Sequence, residues 1–553
     1  MLVTNLLKKL FILLLFLSSQ IFSNSGNFYK IDDVELLSIK EKVEGSHLKV
    51  YIPSMPYAYI MRLINGTLVI LDSSHKGWDY YLAYKHEKVD DTTYIFWLRE
   101  DVKFQDGTSF NADSVVENFR HFQKGAFTYT DIHNKLKSVK KLGDYKIEIK
   151  LHEPYGMLFN DLARINFYTS EYYKQYEWSK SITAQNTYGV GPYGAGPYIL
   201  TEGYATGLEQ SDKLVLKANP YFFEKGKPYI ETITIYTKLP VDNVIDKITN
   251  YEGEIDIALI PFNKKTEIVN SKYAKLITRI STNNFSIHIN LMKKNSLLRD
   301  QKVRQALNQA LNQKNLIKFS YKNEGIESPL VSSTNAFYAR DLSNFYINNP
   351  TTWFSEDELR RLLNNLELNV VTQDRFMFLW KGIEYQLSKY GVFLKYDITS
   401  DEKYVFNKLL TNRANHYDWD LLIWGNEDWY GHPWTSFFTI YTKNQWSAVD
   451  KDDELDSKFR NLFLLEYNDK MFQPTVDDIY KHIHEKAYML AIPSPNVVMA
   501  LNKEVDFIPS PVAIFKLWEA KITPYHWSIR GNTTLPKDRV EKVLPKKLNY
   551  EQF

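Results

Sequence analysis

Residues Tyr188–Leu200 read YGVGPYGAGPYIL, and the fold turns on how that stretch is understood. Gly189, Gly191 and Gly194 match G-x-G-x-x-G, the spacing of a dinucleotide-binding turn. Such a turn needs a strand before it, a helix opening from its last glycine, and an acid about 20 residues on at a strand end. The preceding SKSITAQNT (179–187) is polar and does not alternate. Pro197-Tyr198-Ile199-Leu200, Gly203 and Gly207 follow, and they cannot propagate a helix. Asp212 stands near the expected distance but precedes a strand. A phosphate cradle is rejected on all three counts. What remains is conformational: glycines allow close backbone approach and positive φ, while Pro192 and Pro197 fix φ. The stretch is read as a tight crossing that enters a strand through Pro197.

Outward from it, the chain has 553 residues, enough for about three domains or lobes. Basic and acidic residues nearly cancel, 68 against 66, with no single-sign block. No concentrated basic face points to nucleic acid. Lys8 and Lys9, the apolar run Leu10–Leu17 and Ser23-Asn24-Ser25 form a secretory signal pattern over residues 1–25. That run is too short for a membrane anchor. There are no cysteines, so disulfides, thiol nucleophiles, thiolate metal sites and a lipid-bearing cysteine are all excluded. The mature chain is expected to be free in a periplasm, without a direct membrane anchor.

Strands are predicted at Tyr94–Leu98, Lys146–Leu151, Leu214–Leu216, Ile230–Tyr236 and Phe285–Leu291 from alternation or β-branched and aromatic content. Asn111 is the N-cap of a helix whose Val115, Val116, Phe119 and Phe122 share a face. Val303, Ala306, Leu307, Ala310 and Leu311 mark another. From Asn323 to Pro350 periodicity is poor, and a long surface connection is expected. Helix, strand, helix and strand then alternate from Glu356 to Ile398, an α/β pattern.

Five segments, in order, resemble the family 5 extracellular solute-binding proteins, the peptide, oligopeptide and nickel receptors of ABC importers. Tyr94–Phe122 resembles the family's strand, "F-x-D-G" turn and "A-x-D-V" helix. Gly194-Ala195-Gly196-Pro197-Tyr198 resembles "G-T-G-P-Y", and Leu216–Tyr236 resembles "N-P-x-Y … G-K-P". Gly253–Asp256 resembles "G-x-I-D". Val303–Asn312 resembles "V-R-x-A-L-x-x-A-I-D", with Asn312 in place of the usual Asp. The resemblance implies an α/β, two-lobed periplasmic-binding-protein clamp (type II, cluster C-like) with an extra inserted domain. Domain I is expected at 26–70, 192–283 and 505–553, inserted domain II at 71–191 and domain III at 284–504. Gly194, Gly196, Pro197 and Tyr198 are placed near the hinge.

The family's ligand-facing loop corresponds to Asp420–Phe438, DLLIWGNEDWYGHPWTSFF. In peptide-binding members its acid pairs with the ligand's α-ammonium. Here that acid is Glu427 or Asp428, with Asp428 favoured because Trp429 and Tyr430 follow it and can exclude water. An ammonium taken out of water needs a charged acceptor, because an unpaired buried charge is costly. Trp424, His432 and Trp434 complete the expected site. No cofactor and no resident metal are expected: His482 and His484 point to opposite sides of a helix, and His416 and His432 only bracket the loop. No G-x-S-x-G or H-E-x-x-H motif is present. The pairs Asp90-Asp91 and Asp452-Asp453 read as solvated loop acids. The expectation is a monomeric, non-enzymatic oligopeptide receptor partnered by an ABC permease. A receptor for a nickel complex or other small solute is the alternative, and an exported hydrolase stands behind both.

Overall fold

The structure is a computed structural model that describes residues 41–531 and 547–550, apart from 54–55, 72–76, 124–131, 177–186, 207–208, 282–283, 331–337, 411–417, 427–432, 434–436, 438–439, 443–446 and 511–515. The expected signal segment lies outside the described residues.

Three sheets organise the chain. An eight-stranded sheet runs in the order Lys547–Tyr550, Ala274–Arg279, Val497–Asn502, Ile257–Leu259, Val43–Tyr51, Ile230–Tyr236, Lys213–Ala218, Tyr198–Glu202. Its interior strand Val497–Asn502, VVMALN, is buried at every position, as a continuous apolar run covered on both faces should be. A four-stranded antiparallel sheet orders Ala83–Asp90, Thr93–Leu98, Lys146–Leu151 and Leu136–Gly143. In KIEIKL, Ile147, Ile149 and Leu151 are buried, the one-sided alternation of a sheet with a wet outer face. Helix Ala112–Phe122 belongs to this unit; its Asn111 cap accepts from Ser114 N and completes a capping box. A five-stranded sheet orders Phe393–Thr399, Glu367–Gln373, Leu421–Asn426, Asn284–Ile289 and Met489–Leu490.

The eight- and four-stranded sheets make one lobe and the five-stranded sheet with its helices makes the other. Among the described residues, no helix is long and apolar enough to cross a membrane. Val497–Asn502, which the sequence reading grouped with residues 284–504, sits within the eight-stranded sheet between Ile257–Leu259 and Ala274–Arg279. The span expected to be an irregular connection contains the short strand Gly325–Ile326 and helix Arg340–Asn348. That helix buries only Ser343 and lacks a side-chain N-cap, so its short apolar set Leu342, Phe345 and Tyr346, with Phe345 exposed, has no start signal beside it.

The motifs that carry the resemblance converge in space. Gly194 and Gly196 pack against the end of helix Pro56–Ile64. A Cβ on Gly196 would lie 2.5 Å from Ile64 C and 2.7 Å from Asn65 N. One on Gly194 would overlap the Ile64 carbonyl oxygen. Neither has positive φ; that property belongs to Gly191, at +147°. Gln105, from the "F-x-D-G" turn, ties the junction together. Its Nε2 donates to Ile64 O at 2.9 Å and Tyr198 O at 2.6 Å, and its Oε1 accepts from Gly194 N at 3.1 Å. Asn219, from "N-P-x-Y", donates through Nδ2 to Gly196 O at 2.9 Å. The glycines are needed for close approach between the two sheets of one lobe.

A second pin sits at Asp256 of "G-x-I-D". Its fully buried carboxylate accepts from Lys49 N (2.9 Å), Asn502 Nδ2 (3.0 Å), Trp527 Nε1 (2.8 Å) and His526 Nε2 (3.2 Å). Burial pushes this carboxyl up, but His526, the Lys49 amide and Trp527 more than reverse that, and the net shift is downward. Asn312 caps helix Gln313–Phe319 by accepting from Asn315 N at 2.9 Å. Asn and Asp are equally good N-caps, so the departure from the family's Asp leaves that position's local role intact.

Candidate ligand-binding site

Strand directions locate the cleft. In the five-stranded sheet, Glu367–Gln373 is parallel to both Phe393–Thr399 and Leu421–Asn426. The chain leaves Glu367–Gln373 through helix Met377–Leu387 to the strand on one side. It returns through helix Glu402–Leu410 to the strand on the other. Right-handed crossovers in opposite directions put those helices on opposite faces, so the carboxyl end of Glu367–Gln373 is a topological switch point. In open α/β sheets ligands lie outside such carboxyl ends.

The same end receives the connections to the other lobe. Asn284 pairs with Asn426, so the antiparallel strand Asn284–Ile289 begins where Leu421–Asn426 finishes. In the eight-stranded sheet, Val43–Tyr51, Ile230–Tyr236 and Ile257–Leu259 are parallel. The pairs Leu259↔Met499 and Arg279↔Val497 place the departing crossings at their carboxyl ends too. The chain passes between the lobes twice, after Arg279 and before Val497. The two passages are held side by side, with Ser281 Oγ donating to Pro495 O at 2.8 Å. The lobes therefore present the carboxyl ends of their parallel strands to one another across two short crossings.

On the hinge side, Lys265 of the first lobe donates to Glu324 of the second at 2.6 Å. Asn496 Nδ2 donates to the same carboxylate at 3.2 Å. Gly194, Gly196, Pro197 and Tyr198 stand apart from these passages, buried at the seam between the eight- and four-stranded sheets.

Trp424 lies on Leu421–Asn426, the strand next to the switch strand, opposite Ser286 and partly buried. Pro433 and Phe437 anchor the far end of the loop: both are buried, and Phe437 N donates to Pro433 O at 3.2 Å. Glu427, Asp428, Trp429, Tyr430, His432 and Trp434 lie outside the described residues, as does His416. Arg375, which the sequence reading did not single out, stands exposed just past the switch strand and donates through Nε to Gln373 Oε1 at 2.9 Å. Only its place relative to the crossovers marks it.

Other residues weighed from the sequence fall elsewhere. His482 Nε2 meets Asp452 Oδ2 at 2.6 Å, while His484 Nε2 meets Thr351 Oγ1 at 2.8 Å, so the two rings have separate surroundings. Asp452 is not a solvated loop acid. It caps helix Asp453–Leu462 through Leu455 N at 3.0 Å and accepts from Tyr488 OH at 2.5 Å. The run Asp452-Asp453-Glu454 is a cap followed by an acidic first turn. Asp256, His526 and Ser528 form a carboxylate–imidazole–hydroxyl chain, with His526 Nδ1 to Ser528 Oγ at 2.9 Å. There the fully buried His526 N-caps the short helix Trp527–Arg530.

A model of the bacterial extracellular solute-binding proteins, family 5 (middle region), matches residues 79–448, well over half of the chain. The chain belongs to this family. Among its members, the nickel-binding periplasmic protein of Escherichia coli (strain K12) is 29% identical over 238 residues, 41% of this chain and 42% of that protein. The oligopeptide-binding protein AppA of Bacillus subtilis (strain 168) is 27% identical over 243 residues, 42% of each chain. The matched region thus spans about two fifths of the length of these family relatives. In fold the similarity is wider. The structure of B. subtilis AppA in complex with a nonapeptide superposes with a TM-score of 0.69 at 19% identity, covering 86% of this chain and 99% of that one. NikA from Brucella suis in complex with Fe(III)-EDTA gives 0.69 at 18%, covering 86% and 100%. The family fold is the α/β, two-lobed clamp with an inserted domain.

Proposed function

We propose that this chain is a periplasmic solute-binding receptor that captures oligopeptides by lobe closure and hands them to an ABC permease. The observation that carries the reading is the pair of sheets whose parallel strands direct their carboxyl ends at one another across two short crossings. A ligand held there touches both lobes and favours whichever arrangement closes on it. In this reading the eight-stranded sheet is the core of domain I, the four-stranded sheet that of inserted domain II, and the five-stranded sheet that of domain III. Trp424 and the loop residues Glu427, Asp428, Trp429, Tyr430, His432 and Trp434 contact the ligand, with Asp428 holding the α-ammonium. Arg375 is placed to attract a carboxylate.

Similarity to an oligopeptide-binding protein, and a shared fold with one holding a nonapeptide, support the peptide reading. Similarity to a nickel-binding protein supports a second reading, a nickel complex in the same cleft. Calorimetry separates them. A mixture of tripeptides to pentapeptides should bind stoichiometrically and without turnover, and nickel–histidine should not. Acetylating the peptide N-terminus should weaken binding by about tenfold or more, since one charge-assisted hydrogen-bonded pair is lost. Equal affinity for free and acetylated peptide overturns the ammonium site, and binding of nickel–histidine alone overturns the peptide reading.

A further inference from the structure

The lobes meet a second time, away from the crossings. Residues 154–156, which follow the four-stranded sheet's strand Lys146–Leu151, touch the turn 463–469 between helices Asp453–Leu462 and Phe472–Lys486 of the other lobe. Gly156 N donates to Phe463 O at 2.8 Å, the separation of a good backbone hydrogen bond. Beside it Lys88 Nζ lies 3.0 Å from Glu466 Oε1, and Tyr94 OH donates to the same oxygen at 3.5 Å. The Trp78 and Tyr467 rings meet edge to face, centroids 6.5 Å apart. A polar cavity of about 390 Å³, walled by Asp91 and Tyr94 on one side and Leu464 and Asp469 on the other, opens along this seam.

The fit depends on one absent side chain. A Cβ on Gly156 would overlap the Leu465 carbonyl and stand 2.7 Å from Leu465 N. The obstructing atoms are backbone of the opposite lobe, so no rotamer change relieves the clash; the lobes must separate. Gly156 is not in the left-handed region, so a side chain there costs nothing in the backbone of its own lobe.

We propose that Gly156 is a positioning residue for closure: its bare backbone lets the lip of the inserted domain latch onto the 463–466 turn, and any side chain props the clamp ajar. Lys88 and Glu466 guide the approach and contribute little once it is made, because both are partly solvated. The proposal rests on the closing-receptor reading, and it deepens that reading by naming the surfaces that end the motion.

The test uses the full chain and exploits its lack of cysteines. Asp91→Cys with Asp469→Cys places one thiol on each wall of the seam and leaves Gly156 unchanged; the loss of Asp91's 3.1 Å ion pair with Lys88 is common to every protein compared. Cross-linking with a short bis-maleimide then reports lip approach with no ligand required. The cross-link should form in this background and fall several-fold when Gly156→Val is added, with Gly156→Ala intermediate. Thermal unfolding of ligand-free Gly156→Val should match its parent, which shows that the lobes themselves are intact. Affinity for the tripeptide–pentapeptide mixture should fall by about tenfold or more, because the competent closed state is less populated. Undiminished cross-linking in Gly156→Val overturns the latch. If neither protein binds peptide, the peptide reading fails, and the cross-link yield still decides the latch.

Discussion

Replacing Gly196 by alanine tests the junction built from the motifs. The added methyl would stand 2.5 Å from Ile64 C and 2.7 Å from Asn65 N, both backbone atoms at the end of helix Pro56–Ile64. Ordinary contact needs roughly 1 Å more, so the strand and the helix end must part. Overpacking of this kind costs about 1–3 kcal/mol. Parting them also strains the Gly196 N to Ile64 O bond at 2.8 Å and the Asn219 bond to Gly196 O at 2.9 Å. Each such bond is worth about 1 kcal/mol net. The expected loss is therefore about 2–4 kcal/mol. Gly143→Ala is the control, since its methyl would sit 3.8 Å from Lys146 Cβ, in ordinary contact. Urea unfolding followed in parallel by tryptophan fluorescence and far-ultraviolet dichroism gives the difference, and disagreement between the probes would report the two sheets parting first. Equal midpoints for Gly196→Ala and Gly143→Ala would refute the reasoning.

Asp256→Ala should cost about 3–5 kcal/mol at neutral pH, because four donors around a fully buried carboxylate lose their acceptor. The folded carboxyl is held below its usual range. Its contribution is therefore present above the unfolded value and is lost as pH falls through the folded one, so the gap to wild type should shrink in acid; a gap that widens there contradicts the assignment. His288 is buried on strand Asn284–Ile289, and burial pulls its imidazole down to about 4. The unfolded ring takes up a proton first, so wild type should lose on the order of 3 kcal/mol between about pH 6.5 and 4. His288→Leu should lack that loss in urea titrations at pH 7 and pH 4.5, and parallel losses would show that His288 does not drive it.

The motifs were legible because each performs a local task with a local signature. Gln105, Gly194–Tyr198 and Asn219 join two sheets, Asp256 pins three segments, and Asn312 caps a helix. Each of these contacts is made within one lobe, which is why family and fold could be read from them while the ligand could not. Trp424 came from the resemblance of Asp420–Phe438 to the family's ligand-facing loop, and the strand that carries it is an apolar run. Asp452 was missed as a cap although DDEL carries the cap signature, because its partners His482 and Tyr488 come from 30 and 36 residues away. Helix Arg340–Asn348 has only the short apolar set Leu342, Phe345 and Tyr346 and no side-chain cap to announce its start. Gly156 gave no sign at all: its meaning lies in Leu465, more than 300 residues along the chain and on the opposite lobe.

The position of Val497–Asn502 bears on how the protein is made. Until residue 502 of 553 has been synthesised, Ile257–Leu259 and Ala274–Arg279 flank a gap that no earlier strand fills. The whole of the four- and five-stranded sheets is synthesised before the interior of the largest sheet can fill, and pairings of such long sequence separation form slowly. Insertion of this interior strand is therefore the step that joins the two parts of the eight-stranded sheet, with only the edge strand Lys547–Tyr550 left to add.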